Sequence, residues 1–468
     1  MSKFIGDRKF YGKVMKVAVP IMIQNGITNF VSLLDNIMIG QVGTEQMSGV
    51  AIVNQLLFVL YLGIFGALAG PGIYGAQFYG SGNHEGVKHA FRYKLYICIG
   101  LVLLGILVLS AFGDNLMMLY LHEEEGSVQS AEMVLGYGRE YLGVMLIGLI
   151  PYGIEVVYTS TVRECGETRV PMVAGLIAVG VNLCLNYLLI FGKFGFPELG
   201  VVGAAIATVI SRFVQMLVVV VWTHRHTIKM KFASGLYKSF KLPGELAWKI
   251  IVKGMPLMVN ELLWSAGMAF LNQCYSKHGL DSVAGLNIAS TFINLFNVVF
   301  IAMGSAVAIM VGQLLGAGEL EEARDTDTKL IAFSVMSCFV LGALLFALAP
   351  AFPQFYNCED SVKELATGFL RIGAACMPIY AFMHATYFTL RTGGKTFITF
   401  LFDSVFLMCV SLPVAIVLSN LTGMSVLVMY LCIQLIDVIK CIIGFILVKK
   451  GLWIQNLVKE EKNLNILP

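Results

Sequence analysis

The chain has 468 residues, 57% of them hydrophobic and 13% charged, with a mean hydropathy of +0.79. Length alone would suit about three soluble domains of roughly 150 residues each, but this much apolar side chain needs lipid as well as a core to cover it. The formal charge is +3 and the basic residues are scattered among short loops, which excludes a nucleic-acid partner, since that requires a concentrated basic face.

Taken in chain order, runs of about 20 apolar residues, each able to cross roughly 30 Å of hydrocarbon, predict twelve spans. They lie at 14–39, 50–73, 90–113, 133–157, 168–191, 199–222, 247–273, 285–311, 327–349, 363–388, 395–419 and 422–448. Pro20, Gln24 and Asn25 interrupt the first run, which then continues. No cleavable signal peptide is therefore expected, and the first span itself directs insertion. The connecting segments alternate in charge. Lys9 and Lys13, Lys88 and Arg92, Arg163 and Arg169, the stretch from Arg225 to Lys241, Arg324 and Lys329, Arg391 and Lys395, and Lys449 and Lys450 fall on one side. The segments 41–49 and 115–131, on the other side, have no Lys or Arg. Positive-inside reasoning places both termini in the cytoplasm, with the chain embedded in the cell's inner (cytoplasmic) membrane. The 10 cysteines form no CxxC pair and read as small buried hydrophobes.

The two halves repeat each other. Pro20-Ile-Met-Ile-Gln-Asn25 returns as Pro256-Leu-Met-Val-Asn-Glu261, an offset of 236 (256 − 20). The same offset carries Gln77 onto Gln313, Gly80-x-Gly82 onto Gly316-x-Gly318 and Glu85 onto Glu321. Further on, Pro151 pairs with Pro378 and Arg163 with Arg391, where the offset has slipped to 228 (391 − 163). Six spans per half make the repeat parallel, a pattern of transporters built around a central site. The expected organisation is an N-terminal six-helix lobe at 1–222, a cytoplasmic linker at 223–246, a C-terminal six-helix lobe at 247–448 and a cytoplasmic tail at 449–468. In the linker, Lys residues alternate with Phe232, Leu236, Tyr237 and Phe240. A segment lying on the membrane surface and a solvated basic loop both fit this pattern.

A carboxylate inside a membrane helix costs several kcal/mol unless protonated, paired or wetted, so each one marks a candidate site. Asp35 lies 19 residues beyond Lys16 (35 − 16), about 28 Å along the helix and in the outer third of the first span. Glu261 lies about 12 Å beyond Lys253, near the middle of the seventh span, and its repeat partner is Asn25. Asp403 is a third candidate. Asp437 and Lys440 share one helical face and read either as a neutralising ion pair or as transport residues. His384 is either a titrating site or a satisfied core residue. Asn182 and Asn186 share a face of the fifth span. Gln24, Asn25, Asn54, Asn260 and Asn287 also fall within apolar helices, where amides glue helices together or line a cavity. The ionisable residues within the spans lean acidic, which suits a cationic substrate. Catalytic and metal-binding motifs of soluble enzymes are absent: Gly80-Ser-Gly82 lacks the lysine of a phosphate loop, and His224-Arg-His226 has no acidic or cysteine partners.

These residues resemble the multidrug and toxic compound extrusion (MATE) transporters, bacterial NorM-like members above all. The resemblance rests on Asp35-Asn-Ile-Met-Ile-Gly40, on Gln77-x-x-Gly80-x-Gly82 and its repeat Gln313-x-x-Gly316-x-Gly318, and on Asn182-x-x-x-Asn186-Tyr187 running into Phe191–Gly200. Leu390-Arg-x-Gly-Gly394 completes it. It implies an all-α membrane protein with two six-helix lobes around a V-shaped cavity, exporting organic cations against inward Na⁺ or H⁺ flow. No cofactor is implied beyond the coupling ion. The partners are small organic cations and the lipid bilayer, and the chain is expected to act as a monomer. Asp35 matches the first-span aspartate that the family uses for cation coupling or substrate binding. The proton-coupled DinF-like branch resembles this chain at Asn182 but carries an aspartate where Asn186 stands. NorM-like members carry acids in spans seven and ten, where this chain offers Glu261 and only His384, so Glu261 and Asp403 are the candidates for a second-lobe ion site. The rival expectations are a lipid-linked oligosaccharide flippase of similar architecture and, more remotely, a non-transporting membrane receptor.

Overall fold

The computed structural model describes residues 4–120, 128–356, 358–421 and 423–459. Residues 121–127 of the segment poor in Lys and Arg, and 460–468 of the expected tail, lie outside the described residues. Among the described residues twelve long helices follow one another: α1 (Arg8–Gly40), α2 (Thr44–Gly80), α3 (His84–Met118), α4 (Val128–Glu164), α5 (Arg169–Ile190) and α6 (Gly200–Arg225), then α7 (Gly244–Ser276), α8 (Leu280–Ala317), α9 (Leu320–Leu348), α10 (Asp360–Thr392), α11 (Thr396–Asn420) and α12 (Val426–Lys449). No strand occurs among the described residues. The expected all-α, twelve-helix membrane fold is present. Eleven of the helices are long and apolar enough to cross a membrane. The exception, α7, is equally long but carries Lys249, Lys253, Asn260 and Glu261. Apolar side chains that a water-soluble protein would bury stand in the open, among them Leu103, Leu104 and Leu107 on α3, which are 57%, 56% and 63% exposed. Lipid is the environment that suits them.

Proline sits inside α1 (Pro20), α2 (Pro71), α4 (Pro151), α7 (Pro256) and α10 (Pro378), so two of the repeat-related pairs each remove a backbone donor at corresponding places. The eleventh span, expected at 395–419 from its apolar run, is not a regular α-helix throughout. It widens into π turns at Leu401–Val405 and Leu407–Ser411, placing Asp403 and Ser404 in the first of them. Such widened turns recur at functional positions because they re-aim side chains.

The chain forms two compact units. The N-unit comprises Ile23–Gly75 and His84–Ala247; the C-unit comprises Met1–Met22, Ala76–Asn83 and Trp248–Pro468. The division cuts through α1 and α2 rather than falling at residue 222. The first turns of α1 belong with the C-unit because Val14, Ala18 and Ile21 are buried against Met303 and Val307 of α8 and Tyr387 of α10. In the N-unit, α4 and α6 pack together, α5 lies on α6 and α3 on α4. The linker is fastened there: both Arg92 Nε and Nη2 donate to the Leu236 carbonyl, and Phe232 is buried beside Phe91.

Within the C-unit the doubled glycine motif crosses itself. A Cβ built on Gly80 would collide with the Gln313 carbonyl, and one on Gly316 would collide with the Gln77 carbonyl. The repeat-related glycines thus let the ends of α2 and α8 meet backbone to backbone. Gly82 and Gly318 close the two helices with φ of 74° and 84°, a conformation that glycine adopts without strain. The described part of the tail docks on this crossing. Gln77 accepts a bond at Oε1 from the Leu457 amide (2.9 Å) and donates through Nε2 to the carbonyls of Thr392 (3.2 Å) and Gln455 (3.3 Å). Asn456 donates to the Gly316 carbonyl at 3.3 Å, and Trp453, Leu457 and Val458 are buried.

Candidate functional site

Each unit holds a polar cluster inside its helices. In the N-unit, α1 and α5 bring Asp35 and Asn186 together. Asn186 Nδ2 donates to Asp35 Oδ1 at 2.6 Å and to Asn182 Oδ1 at 3.2 Å, and Asn182 Nδ2 reaches Thr208 Oγ1 of α6 at 3.4 Å. Asn182 and Asn186 are buried while Asp35 stays partly open. The four-residue spacing that puts both amides on one face of α5 thus places them beside the carboxylate. Asn186 Oδ1 is buried and meets no donor among the described residues. An acidic oxygen and an orphaned amide oxygen side by side form a donor set that suits a hard cation.

A second N-unit network was not anticipated from sequence. Glu155 of α4 is buried and accepts from Thr159 Oγ1 (2.5 Å) and Gln215 Nε2 (3.0 Å). Gln24 accepts from Arg163 Nη2. Arg212, in the middle of the sixth span, donates through Nη2 to the Tyr61 hydroxyl at 2.6 Å. Arg212 thus adds a basic residue within a span of the N-unit, beside the acids Asp35 and Glu155, while Arg163 lies in the last turn of α4. Arg212 lies in the run 199–222, where a single basic residue among apolar neighbours gives no signal of its partners. Asn54 accepts from the Tyr141 hydroxyl at 3.3 Å, while Asn25 makes no side-chain hydrogen bond among the described residues.

In the C-unit, Asn260 is the hub. Its Nδ2 donates to Asp403 Oδ2 at 3.0 Å and to the Tyr387 hydroxyl at 3.3 Å. Its Oδ1 accepts from Ser404 Oγ (2.7 Å) and from the Ser404 amide (3.3 Å). The Tyr387 hydroxyl in turn donates to Glu261 Oε1 at 3.0 Å. Glu261 and Asp403, named as separate candidates, are thus joined through one amide and one phenol. Lys440 stands 3.7 Å from both Asp403 and Asp437, so the expected pair is a triad. The His384 ring stacks near Tyr387 at 6.2 Å and meets Phe300 edge-on at 5.1 Å, which places it in an aromatic wall of the cluster. Tyr387 and Ser404 were missed because hydroxyl residues in apolar helices give no signal without their partners. Asp327, also missed, is fully buried and accepts from Thr389 Oγ1 at 2.6 Å. Asn287 is exposed and stands apart from this cluster. No cluster of potential metal ligands occurs among the described residues.

The model of the MatE family matches residues 20–188 and 256–419. The two matched stretches begin at Pro20 and Pro256, the offset at which the sequence repeats itself. A probable multidrug resistance protein NorM of Thermotoga maritima is 27% identical over 416 residues, covering 87% of this chain and 85% of that protein. The probable multidrug resistance protein YoeA of Bacillus subtilis is 23% identical over 414 residues, covering 87% of each. Among solved structures, the outward-facing conformation of a multidrug resistance MATE family transporter of the MOP superfamily aligns with a TM-score of 0.83 at 19% identity. It covers 96% of this chain and 97% of that one, a likeness of fold.

Proposed function

The chain belongs to the MatE family, and on that premise we propose that it exports small organic cations by antiport with Na⁺ or H⁺ through alternating access of its two halves. The observation that carries this reading is Asp35. Its carboxylate lies within a membrane span, is held by the Asn186 amide at 2.6 Å and has the orphaned Asn186 oxygen beside it. A coupling cation and an organic cation would occupy such a carboxylate in turn, which is what antiport requires. Asn182 and Asn186 orient it. Glu261 and Asp403, tied to Asn260 and Tyr387, supply a second acidic position in the C-unit. Asp437 is assigned a structural role, paired with Lys440, which stands as close to Asp403 and balances part of the charge there.

In this reading the protein is a multi-pass inner-membrane transporter with both termini in the cytoplasm. It works as a monomer and does no covalent chemistry on its substrate. The flippase alternative is set aside because the matching family is MatE along both halves. Equilibrium binding of a lipophilic cationic dye to the purified protein tests the reading. The dye should be displaced by Na⁺ or by acid, and less so from Asp35→Asn. Dye binding indifferent to both ions would overturn it.

A further inference from the structure

The linker runs along α3 in a fixed register. Arg92 Nε and Nη2 hold the Leu236 carbonyl at 3.2 and 2.9 Å, and one helical turn on, the Tyr96 hydroxyl donates to the Phe240 carbonyl at 2.7 Å. Both contacts join residues 144 positions apart, so the two segments advance side by side in one direction. Tyr237 is pinned as well, its hydroxyl bonded to that of Tyr158 and its ring stacked on His224 at 5.7 Å. Phe232 and Leu236 are buried in the unit. Tyr237, Lys238, Phe240 and Lys241 stay exposed, Tyr237 by 48% and Phe240 by 60%.

The sequence of α3 gives the depth of this contact. Between Lys94 and Asp114 the helix has no charged residue over 19 positions (113 − 94), about 28 Å, which is the thickness of a bilayer's hydrocarbon. Tyr96 therefore marks the boundary between acyl chains and headgroups, where tyrosine concentrates. The bond from its hydroxyl sets Phe240 at the same level. The exposed Phe240 ring then has acyl chains for neighbours, and Lys238 and Lys241 on either side of it lie at the level of lipid phosphates. Neither lysine has a carboxylate partner among the described residues, and 225–243 carries Arg225 and four lysines with no Asp or Glu. A loop standing in water would gain nothing from a bare phenylalanine between two lysines, whereas an interfacial segment uses both.

We propose that Tyr237–Lys241 is a binding site for an anionic phospholipid of the cytoplasmic leaflet, with Lys238 and Lys241 on the headgroup phosphate and Phe240 among the first methylenes of its chains. Charge complementarity selects the ligand: a zwitterionic headgroup offsets its phosphate with its own ammonium, and phosphatidylglycerol does not. Arg92, Tyr96 and Tyr158 are positioning residues that hold the linker at this depth. The site rests on the inner-membrane orientation proposed above, and neither the exported substrate nor the coupling ion enters it.

The test is electron spin resonance of chain-labelled phosphatidylglycerol and phosphatidylcholine, in turn, around the full-length protein in nanodiscs. Wild type should hold the phosphatidylglycerol roughly threefold more strongly or better at low salt, and the preference should shrink at high salt. Lys238→Gln/Lys241→Gln alters two exposed side chains and should lose most of the preference. Lys449→Gln/Lys450→Gln removes the same charge at the end of α12, also from exposed positions, and should keep it. Equal losses in the two variants would mean a general attraction of basic segments and would overturn the site. A wild type without preference would overturn it too, leaving cation export untouched. Soluble glycerophosphoglycerol, the headgroup without its chains, should not displace the lipid; displacement would overturn the lipid assignment in favour of a free phosphate. Labelling of Lys241→Cys from outside intact cells, in a background lacking native cysteines, would overturn the cytoplasmic leaflet together with the orientation of the transporter.

Discussion

Asp35 on α1 and Asn186 on α5 meet at 2.6 Å, joining residues 151 positions apart in sequence. The bond fixes the carboxylate's direction without neutralising it, because an amide donates a hydrogen bond but carries no charge. Asp35→Asn keeps the size and removes the charge. The variant should insert and express normally while dye efflux falls at least tenfold. Efflux at the wild-type rate by a normally expressed variant would remove Asp35 from the mechanism.

Asn260 is a stability position as much as a site position. It is 1% exposed and serves Asp403, Tyr387 and Ser404 at once. Asn260→Ala removes the bonds its amide makes to all three, and each buried hydrogen bond lost costs about 0.5–1.5 kcal/mol. The apparent melting temperature in detergent should drop by several degrees, whereas Asn287→Ala, on an exposed face, should leave it unchanged. Equal melting of the two variants would contradict the hub assignment.

The Gly80–Gln313 and Gly316–Gln77 approaches leave no room for a methyl group on either side. Gly80→Ala and Gly316→Ala must each push α2 and α8 apart, at a cost of roughly 1–3 kcal/mol. Because both glycines lie in one crossing, the double variant should lose less stability than the two single losses combined. Strict additivity would mean that the two contacts are independent.

The proposed mechanism makes Glu261 a second acid at which protons and organic cations compete. Wild-type affinity for a cationic dye should fall as pH falls from about 8 to 5, because protonation removes the charge that attracts the dye. Glu261→Gln should weaken dye binding at the upper end and flatten this dependence, with neutral amphipaths less affected. Parallel curves for the two proteins would pass the role to Asp35 or Asp403.

Much of this arrangement was legible in the sequence. Twelve spans follow from apolar run length, and the parallel repeat follows from its offset of 236. The pairing of Asn182 with Asn186 follows from helical spacing. What stayed hidden depends on distant partners. Asn260 finds Asp403 across 143 residues and Tyr387 across 127, and no local pattern encodes such meetings. Ser404 and Tyr387 carry no charge to flag them, and Arg212 is a single basic residue diluted by apolar neighbours. The π turns of α11 and the assignment of the first turns of α1 to the C-unit are outcomes of packing, which hydropathy does not report.

Antiport is the central claim, and proteoliposomes holding purified protein test it most directly. Vesicles with inward-facing cytoplasmic surfaces are loaded with a cationic dye, and an inward Na⁺ or H⁺ gradient is imposed separately with the membrane potential clamped. The potential is worth about 2.3 kcal/mol per charge per 100 mV, so a one-for-one exchange should respond to it little. The account predicts dye loss driven by one of the two gradients, absent without it and absent in Asp35→Asn. Dye loss at the same rate with no gradient, or under neither gradient in wild type, would contradict it.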